Sequence, residues 1–152
     1  MIKQSKISVR HLVEFILRRG SIDNRKKSNH TALEGARIHR KLQKDAGENY
    51  EKEVFLKTTV QLDEYYLIVE GRADGIFKRD GIYYIDEIKT SEPRFEDLEP
   101  EQVELFFHQA RVYAYIYSQE HDLQEINLQL TYFQTAEEVI TRKVEHQTRE
   151  QL

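Results

Sequence analysis

Apolar residues spaced three or four positions apart predict two helices near the start of the chain. The first follows Ser8, which can cap its N-terminus, and is expected to end near Arg19. The second opens with a capping box formed by Thr31 and Glu34 and extends to about Ala46. Both helices have one apolar face, so each is expected to pack against a sheet or another helix.

Alternation of apolar and polar residues predicts five strands in the rest of the chain. The predicted strands are Glu51–Val60, Tyr65–Phe77, Ile82–Thr90, Glu125–Gln134 and Val139–Val144. A mostly apolar helix, expected from Pro100 to about Gln119, separates the third strand from the fourth. This order of elements predicts an α/β (α+β) fold, and the 152 residues are enough for one domain.

The second and third predicted strands are joined by Asp80-Gly81, a dipeptide that favours a two-residue type I′ hairpin turn. With those two residues as the loop, Asp74 faces Glu87 across the hairpin, and Arg72 faces Lys89. Because side chains alternate along a strand, all four would lie on one face of the sheet. Facing Cβ atoms are about 4.5–5.5 Å apart, and two like charges at that distance are destabilising. The pattern therefore predicts that a cation lies between Asp74 and Glu87.

Two cations could satisfy this pair of carboxylates. Lys89 can supply one charge, and a divalent ion such as Mg²⁺, which prefers carboxylate oxygens, can supply more. A cluster of Asp, Glu and Lys suits metal-assisted phosphodiester hydrolysis, in which the metal activates a water and the lysine positions it. The competing interpretation is a surface hairpin with mixed charges. The predicted facing pairs also depend on the length of the loop, because one extra loop residue would change the register of the two strands.

Two further residues could extend the cluster. His39 shares a face of the second predicted helix with Gly35, and this glycine would admit close backbone approach beside the imidazole. A single histidine on an apolar face is more often a packed core residue, so the helix alone leaves its role open. Glu53, on the first predicted strand, is either an outer acidic group of the site or an ordinary solvated residue.

The composition narrows the class of protein. The chain has no cysteine, which fits a reducing cytoplasm and excludes a thiol nucleophile, a cysteine-held zinc ion and an iron–sulfur cluster. No apolar run approaches the roughly 18 residues of a membrane-spanning helix, and the first residues lack the apolar core of a signal peptide. We therefore expect a cytoplasmic protein with no membrane partner.

The net charge of −4 conceals two parts of opposite sign. Residues 1–47 hold twelve Lys or Arg against four Asp or Glu, whereas residues 48–152 hold eleven against twenty-three. The stretch 21–30 is polar and basic and is predicted to be an exposed loop. Contacts with a phosphate backbone are expected in the basic part, and solvated charged faces are the alternative explanation of the same pattern.

Four short motifs resemble the RecB-like branch of the PD-(D/E)XK nuclease superfamily. GRADGI at residues 71–76 and YYIDEIKTS at 83–91 resemble its catalytic core. GARIH at residues 35–39 matches its upstream G-x-x-x-H motif, and QARVY at 109–113 matches its downstream Q-x-x-x-Y motif. The branch includes the nuclease domains of RecB and AddB and the CRISPR-associated RecB-like exonucleases. The motifs span residues 35 to 113, most of the chain, in the order that the branch has them.

The resemblance implies a restriction-endonuclease-like fold, which is a mixed sheet flanked by helices. In that fold the strand after the long helix runs parallel to its neighbour. The resemblance also implies that Mg²⁺ or Mn²⁺ is held by His39, Asp74, Glu87 and the Ile88 carbonyl. The catalytic residues would be Asp74, Glu87 and Lys89, with Lys89 orienting the attacking water.

The same resemblance implies an activity and partners. We expect a divalent-metal-dependent DNA nuclease of DNA repair or processing, acting as an exonuclease on DNA ends or single strands. Gln109 and Tyr113 would contact the substrate strand, and Arg37 and Arg72 are further candidates for DNA contact. Such relatives are often fused or coupled to a helicase, so a helicase domain or subunit is an expected partner, and the chain could be the N-terminal part of a longer protein. Several relatives carry an iron–sulfur cluster, which this cysteine-free chain cannot bind through cysteine.

Two other functions stay open at this point. The chain could be a catalytically weak or inactive DNA-binding or scaffold module of a helicase-nuclease protein. The presence of the full His, Asp, Glu and Lys set argues against loss of activity. A nuclease that acts on RNA is the second possibility, because nothing in the sequence reads a 2′-hydroxyl group.

Overall fold

The computed structural model describes residues 3–17 and 29–152. The predicted end of the first helix at Arg19 and most of the predicted basic loop lie outside these residues. The helices are α1 (Val9–Leu17), α2 (Asn29–Asp45) and α3 (Pro100–His121). The strands are β1 (Lys3–Ser8), β2 (Glu51–Leu62), β3 (Tyr65–Arg79), β4 (Ile82–Ser91), β5 (Glu125–Gln134) and β6 (Val139–Thr148).

These strands form one six-stranded mixed sheet in which β3 has three partners. One edge of β3 pairs with β2 in antiparallel fashion along nearly its whole length. The other edge pairs first with β1, which is parallel, and then with β4, which is antiparallel. Beyond β4, the strand β5 is parallel and β6 is antiparallel to β5. The predicted α+β fold is confirmed, and so is the parallel strand that follows the long helix.

Helices cover both faces of this sheet. On one face, residues of α1 and α3 share a core cluster with β4 and β5, for example Val13, Ala110, Ile85 and Leu128. On the other face α2 comes so close to β4 that a methyl group at Gly35 would lie 3.1 Å from the Thr90 hydroxyl oxygen. Because successive side chains of β4 alternate between faces, helix α2 and helix α3 lie on opposite sides of the strand.

One strand is missed by the predictions, and the predicted start of one helix is wrong. The missed strand is β1, a short strand whose segment KQSKIS shows little apolar alternation. Its pairing with β3, rather than any local pattern, defines it as a strand. Helix α2 begins at Asn29, so Thr31 lies inside its first turn and not at the predicted capping position before the helix. The cap of α1 is confirmed, because the His11 backbone N–H donates to Ser8 Oγ at 3.1 Å.

Candidate functional site

The candidate site lies where one edge of β3 changes partner. The ladder with β1 ends at the pair Ser8–Glu70, and the ladder with β4 begins at the pair Gly75–Asp86. Within the described residues, positions 71–74 of this edge pair with neither strand. We call this gap, formed by residues 71–74 of β3 and 87–89 of β4, the fork.

A side chain satisfies a backbone group that the fork leaves without a strand partner. The Ile88 backbone N–H donates to Asp74 Oδ2 at 2.7 Å. The Tyr113 side chain also lies beside the fork, because a methyl group at Gly71 would lie only 2.6 Å from its hydroxyl oxygen. Buried backbone groups are costly to leave unpaired, so the bond to the Ile88 N–H allows the two strands to part.

The predicted hairpin is confirmed at its turn and wrong at its far end. Asp80 and Gly81 have φ values of 53° and 83°, as a type I′ turn requires. The predicted register holds up to Gly75–Asp86, and the ladder stops there. The predicted pairs Asp74–Glu87 and Arg72–Lys89 do not form, because the Asp74 carboxylate takes the Ile88 N–H and the strands diverge.

The predicted common face is also wrong for Arg72. Its neighbour Gly71 contacts Tyr113 of α3, and its other neighbour Ala73 is fully buried in the core cluster that contains α3. Side chains alternate along a strand, so Arg72 points away from α3. Lys89, by contrast, lies on the α3 side, with its Nζ atom 5.4 Å from the centre of the Phe106 ring.

The titratable side chains of the fork occur as two close pairs. His39 of α2 approaches from one face, with Nδ1 3.7 Å from Asp74 Oδ1. Lys89 Nζ lies 3.1 Å from Glu87 Oε1. The four side chains are only 7–27% exposed, so they interact in surroundings from which much of the water is excluded. All four were predicted as site residues from the sequence, although they come from three different elements.

The pKa of the Glu87 carboxyl is raised to about 7. Burial is the largest cause and the nearby Asp74 carboxylate acts in the same direction, whereas Lys89 and Arg10 act to lower the pKa. Arg10 lies in the first turn of α1, just after β1, and it also acts to lower the pKa of Tyr113. No pattern in the sequence indicates Arg10, because only the missed strand β1 brings it to the fork.

Glu53 lies beside the site through an unpredicted partner. The Gln43 Nε2 atom of α2 donates to Glu53 Oε1 at 3.0 Å and to the Asp74 carbonyl oxygen at 2.8 Å. Gln43 is 4% exposed and lies one helical turn after His39. That spacing is the sequence signal that could have identified it.

The predicted DNA-contacting residues separate into two groups. Gln109 and Tyr113 of α3 are buried, and the Tyr113 hydroxyl lies against Gly71 of the fork. Arg37 on α2 and Arg72 on β3 are exposed. Of these four residues, only the two arginines can be reached by a large ligand without a change in the structure.

Asp86 precedes Glu87 on β4 and faces the opposite side of the sheet. It accepts hydrogen bonds from the Tyr50 hydroxyl at 2.7 Å, the Thr131 hydroxyl at 2.6 Å and Gln129 Nε2 at 3.2 Å. Burial raises the pKa of Asp86, and these hydrogen bonds lower it. A methyl group at Gly75 would collide with the Tyr50 ring, so this glycine lets Tyr50 reach the carboxylate.

The donor set of the fork is chemically suited to a hard divalent ion. Two carboxylates and one imidazole are ligands that Mg²⁺ or Mn²⁺ accepts. A bound cation would also reduce the electrostatic repulsion between the Asp74 and Glu87 carboxylates. In the described residues, however, no three His, Asp or Glu side chains are gathered closely enough to hold a metal as they stand. The lysine ammonium is the cation that Glu87 contacts instead.

Comparison with known proteins supports the fold. No protein-family model matches the sequence, and no curated protein matches it. Among solved structures, the crystal structure of SSO0001 is similar to this chain, with a TM-score of 0.61 and 20% sequence identity. The match covers 95% of this chain and 68% of that one. None of the helices in the described residues is long and apolar enough to cross a membrane.

Proposed function

We propose that this chain is a divalent-metal-dependent DNA nuclease of the RecB-like PD-(D/E)XK type, with a restriction-endonuclease-like fold. The observation that carries the proposal is the convergence of His39, Asp74, Glu87 and Lys89 at the fork. These residues lie up to 50 positions apart in sequence, and each belongs to one of the motifs that resemble the RecB-like branch. A surface hairpin with mixed charges would not bury its carboxylates in this way.

Mg²⁺ or Mn²⁺ would be held by His39, Asp74, Glu87 and the Ile88 carbonyl oxygen. When bound, such an ion supplies Lewis-acid activation of a water molecule and of the phosphate. The Ile88 N–H donates to Asp74 Oδ2 at 2.7 Å, so Asp74 holds the strand backbone next to the Ile88 carbonyl.

Lys89 has a separate task in this proposal. Its ammonium group can donate a hydrogen bond to the attacking water and can stabilise negative charge on the phosphate in the transition state. Its contact with Glu87 at 3.1 Å and the Phe106 ring beneath it restrict its position. Preorganised donors of this kind are worth most where water is excluded, and Lys89 is 16% exposed.

The substrate we propose is a DNA end or a single strand. The Glu87 side chain is 7% exposed and lies deep in the fork. A single DNA strand can reach so buried a carboxylate more easily than an intact duplex can. Arg37 and Arg72 are exposed and positively charged, so they are the proposed contacts to the phosphate backbone. We place this activity in the cytoplasm, in DNA repair or processing, with a helicase domain or subunit as the proposed partner.

The test combines metal binding with cleavage. We expect calorimetry to detect Mn²⁺ binding to the wild type and its loss in Glu87→Ala, with metal-dependent cleavage of end-labelled single-stranded DNA lost in parallel. Glu64→Ala, at an exposed turn position between β2 and β3, is the matched control and should behave as the wild type. Failure of the wild type to bind Mn²⁺ or Mg²⁺ would contradict the proposal.

A second candidate is a DNA-binding scaffold with little or no catalysis. It is favoured by one observation, that the donors stand as two separate pairs rather than as a gathered set. The same experiment separates the two candidates. The scaffold predicts DNA binding that is independent of Mn²⁺ and that persists in Glu87→Ala, with no cleavage by either protein.

A further inference from the structure

The ladder between β2 and β3 lacks one residue pair beside the fork. The two strands pair in one register along their length, and in that register Glu53 stands opposite Asp74, but these two do not pair. Glu53 has a φ of 52°, in the left-handed region that a residue with a side chain seldom adopts. The backbone of β2 is therefore turned out of the strand conformation at the residue opposite Asp74.

A side chain of α2 bonds the Asp74 carbonyl in place of the missing strand partner. Gln43 Nε2 carries two hydrogens, and it donates to the Asp74 carbonyl oxygen at 2.8 Å and to Glu53 Oε1 at 3.0 Å. Gln43 is 4% exposed, and hydrogen bonds shielded from water are stronger than exposed ones. The Asp74 carbonyl is thus satisfied by a helix side chain.

Gln43 and His39 belong to the same helix and act on the same residue. They are one turn apart, so they project from the same side of α2. His39 Nδ1 lies 3.7 Å from a side-chain oxygen of Asp74, while Gln43 bonds the backbone oxygen of Asp74. Helix α2 therefore fixes Asp74 at two atoms, which sets the distance between the imidazole and the carboxylate.

We propose that Gln43 is a positioning residue of the fork, and that Glu53 orients the Gln43 amide rather than binding the metal. The part that concerns metal affinity rests on the proposed function. Residues in disfavoured backbone regions persist where their surroundings impose them, and they concentrate at functional sites. Here the left-handed backbone brings the Glu53 carboxylate to Gln43.

The test removes the two donors without removing volume. Gln43→Met keeps the length of the side chain, and we expect its Mn²⁺ dissociation constant to rise by about 10–100-fold, as is typical for partners that orient metal ligands. Gln43→Asn, too short to reach both acceptors, should show the same direction. Glu53→Gln keeps an acceptor oxygen for the Gln43 amide, so its affinity should equal that of the wild type.

A control separates positioning from general stability. Leu42 is the neighbouring buried residue of α2 and makes no polar contact through its side chain. Leu42→Ala should lower the melting temperature at least as much as Gln43→Met, yet leave the dissociation constant for Mn²⁺ unchanged. Equal loss of affinity in both variants would show that Gln43 has only a structural role.

A second measurement needs no metal. The Ile88 amide donates to Asp74 Oδ2, so its hydrogen exchange reports whether Asp74 stays in place. In metal-free protein we expect faster exchange at Ile88 in Gln43→Met than in Leu42→Ala. If the Ile88 amide behaves so while the wild type binds no Mn²⁺, the proposed function is wrong and the positioning role stands. Unchanged exchange at Ile88, or a loss of Mn²⁺ affinity in Glu53→Gln as large as in Gln43→Met, would overturn the inference.

Discussion

Asp86 and Glu87 are consecutive buried acids of β4, and they face opposite sides of the sheet. Three neutral donors, from Tyr50, Gln129 and Thr131, bond the Asp86 carboxylate at 2.6–3.2 Å. Glu87 has a lysine at 3.1 Å and the Asp74 carboxylate as its other charged neighbour on β3. One acid is satisfied by neutral hydrogen bonds, and the other lies among charges that partly oppose it.

This difference distinguishes a structural acid from the acid of the proposed metal site. A carboxylate with three neutral donors needs nothing further, so Asp86 can hold β4, β5 and the segment before β2 together. A carboxylate buried beside a second carboxylate gains from any added cation, and perturbed groups of this kind concentrate at functional sites. Burial alone would not have separated the two residues, because both are about 5% exposed or less.

The largest expected effect concerns activity. Glu87→Gln keeps the volume of the side chain but removes its charge, and we expect metal-dependent cleavage of single-stranded DNA to fall by about 10²–10³-fold or more. Asp86→Asn, the matched change on the other face, should retain cleavage at saturating Mn²⁺. Rates would be measured on end-labelled substrate. Comparable losses in the two variants would remove the distinction between the two faces.

The next effect concerns the free energy of unfolding. Asp86→Ala leaves the hydroxyl groups of Tyr50 and Thr131 and the amide of Gln129 without their acceptor. Each buried group left unpaired costs about 1–3 kcal/mol, so we expect a loss of several kcal/mol by denaturant titration. Thr131→Val, which removes one donor only, should lose less. A stable Asp86→Ala protein would mean that water can replace the carboxylate.

Much of this site could be predicted from the sequence. The turn at Asp80-Gly81 and the period of two place Asp74 and Glu87 on neighbouring strands, because both rules depend only on local residues. The resemblance adds His39, which no local rule could connect to β3. The family motifs and the hairpin therefore identify the four residues that the fork brings together.

The rest depends on contacts between distant segments. The fork exists because β1 takes one part of the β3 edge, and β1 has no apolar alternation that would predict it. Without β1, the sequence gives no reason for the ladder to stop after Gly75–Asp86. Gln43 reaches the fork through the packing of α2, and Arg10 reaches it through the position of β1. Neither contact could be predicted from the local sequence.

The third expected effect is a pH dependence that separates the two faces. In metal-free protein the pKa of Glu87 is raised from 4.5 to about 7, so the folded state holds a proton that the unfolded chain releases. The free energy of unfolding should therefore fall as the pH rises from about 4.5 to about 7 and stay level above that range. At about 1.4 kcal/mol per pKa unit the effect is about 3 kcal/mol.

Glu87→Gln isolates this contribution. Its neutral amide resembles the protonated acid, so the variant should lack that fall and be more stable than the wild type at pH 8 without metal. The pKa of Asp86 is also raised and adds a slope of the same sign to both proteins, so the difference between the two curves belongs to Glu87. Parallel curves from denaturant titrations at several pH values would contradict this assignment.

The smallest expected effects come from two glycines that bring helices close to the two faces. A methyl group at Gly71 would lie 2.6 Å from the Tyr113 hydroxyl oxygen, and the Tyr113 ring is buried in the core cluster, where it has little room to move. Gly71→Ala should therefore lose about 1–3 kcal/mol of unfolding free energy, as overpacking usually does.

Gly35→Ala should be close to neutral. The new methyl group would meet the Thr90 hydroxyl at 3.1 Å, a contact that a rotating side chain can relieve. Alanine also stabilises a helix interior by about 1 kcal/mol relative to glycine, which offsets the remaining crowding. Denaturant titration of both variants tests whether α3 is fixed against the fork more rigidly than α2. The reverse order of stabilities would mean that α2, which carries His39 and Gln43, is the more rigidly packed helix, and that the Tyr113 side chain can move to accommodate the new methyl group.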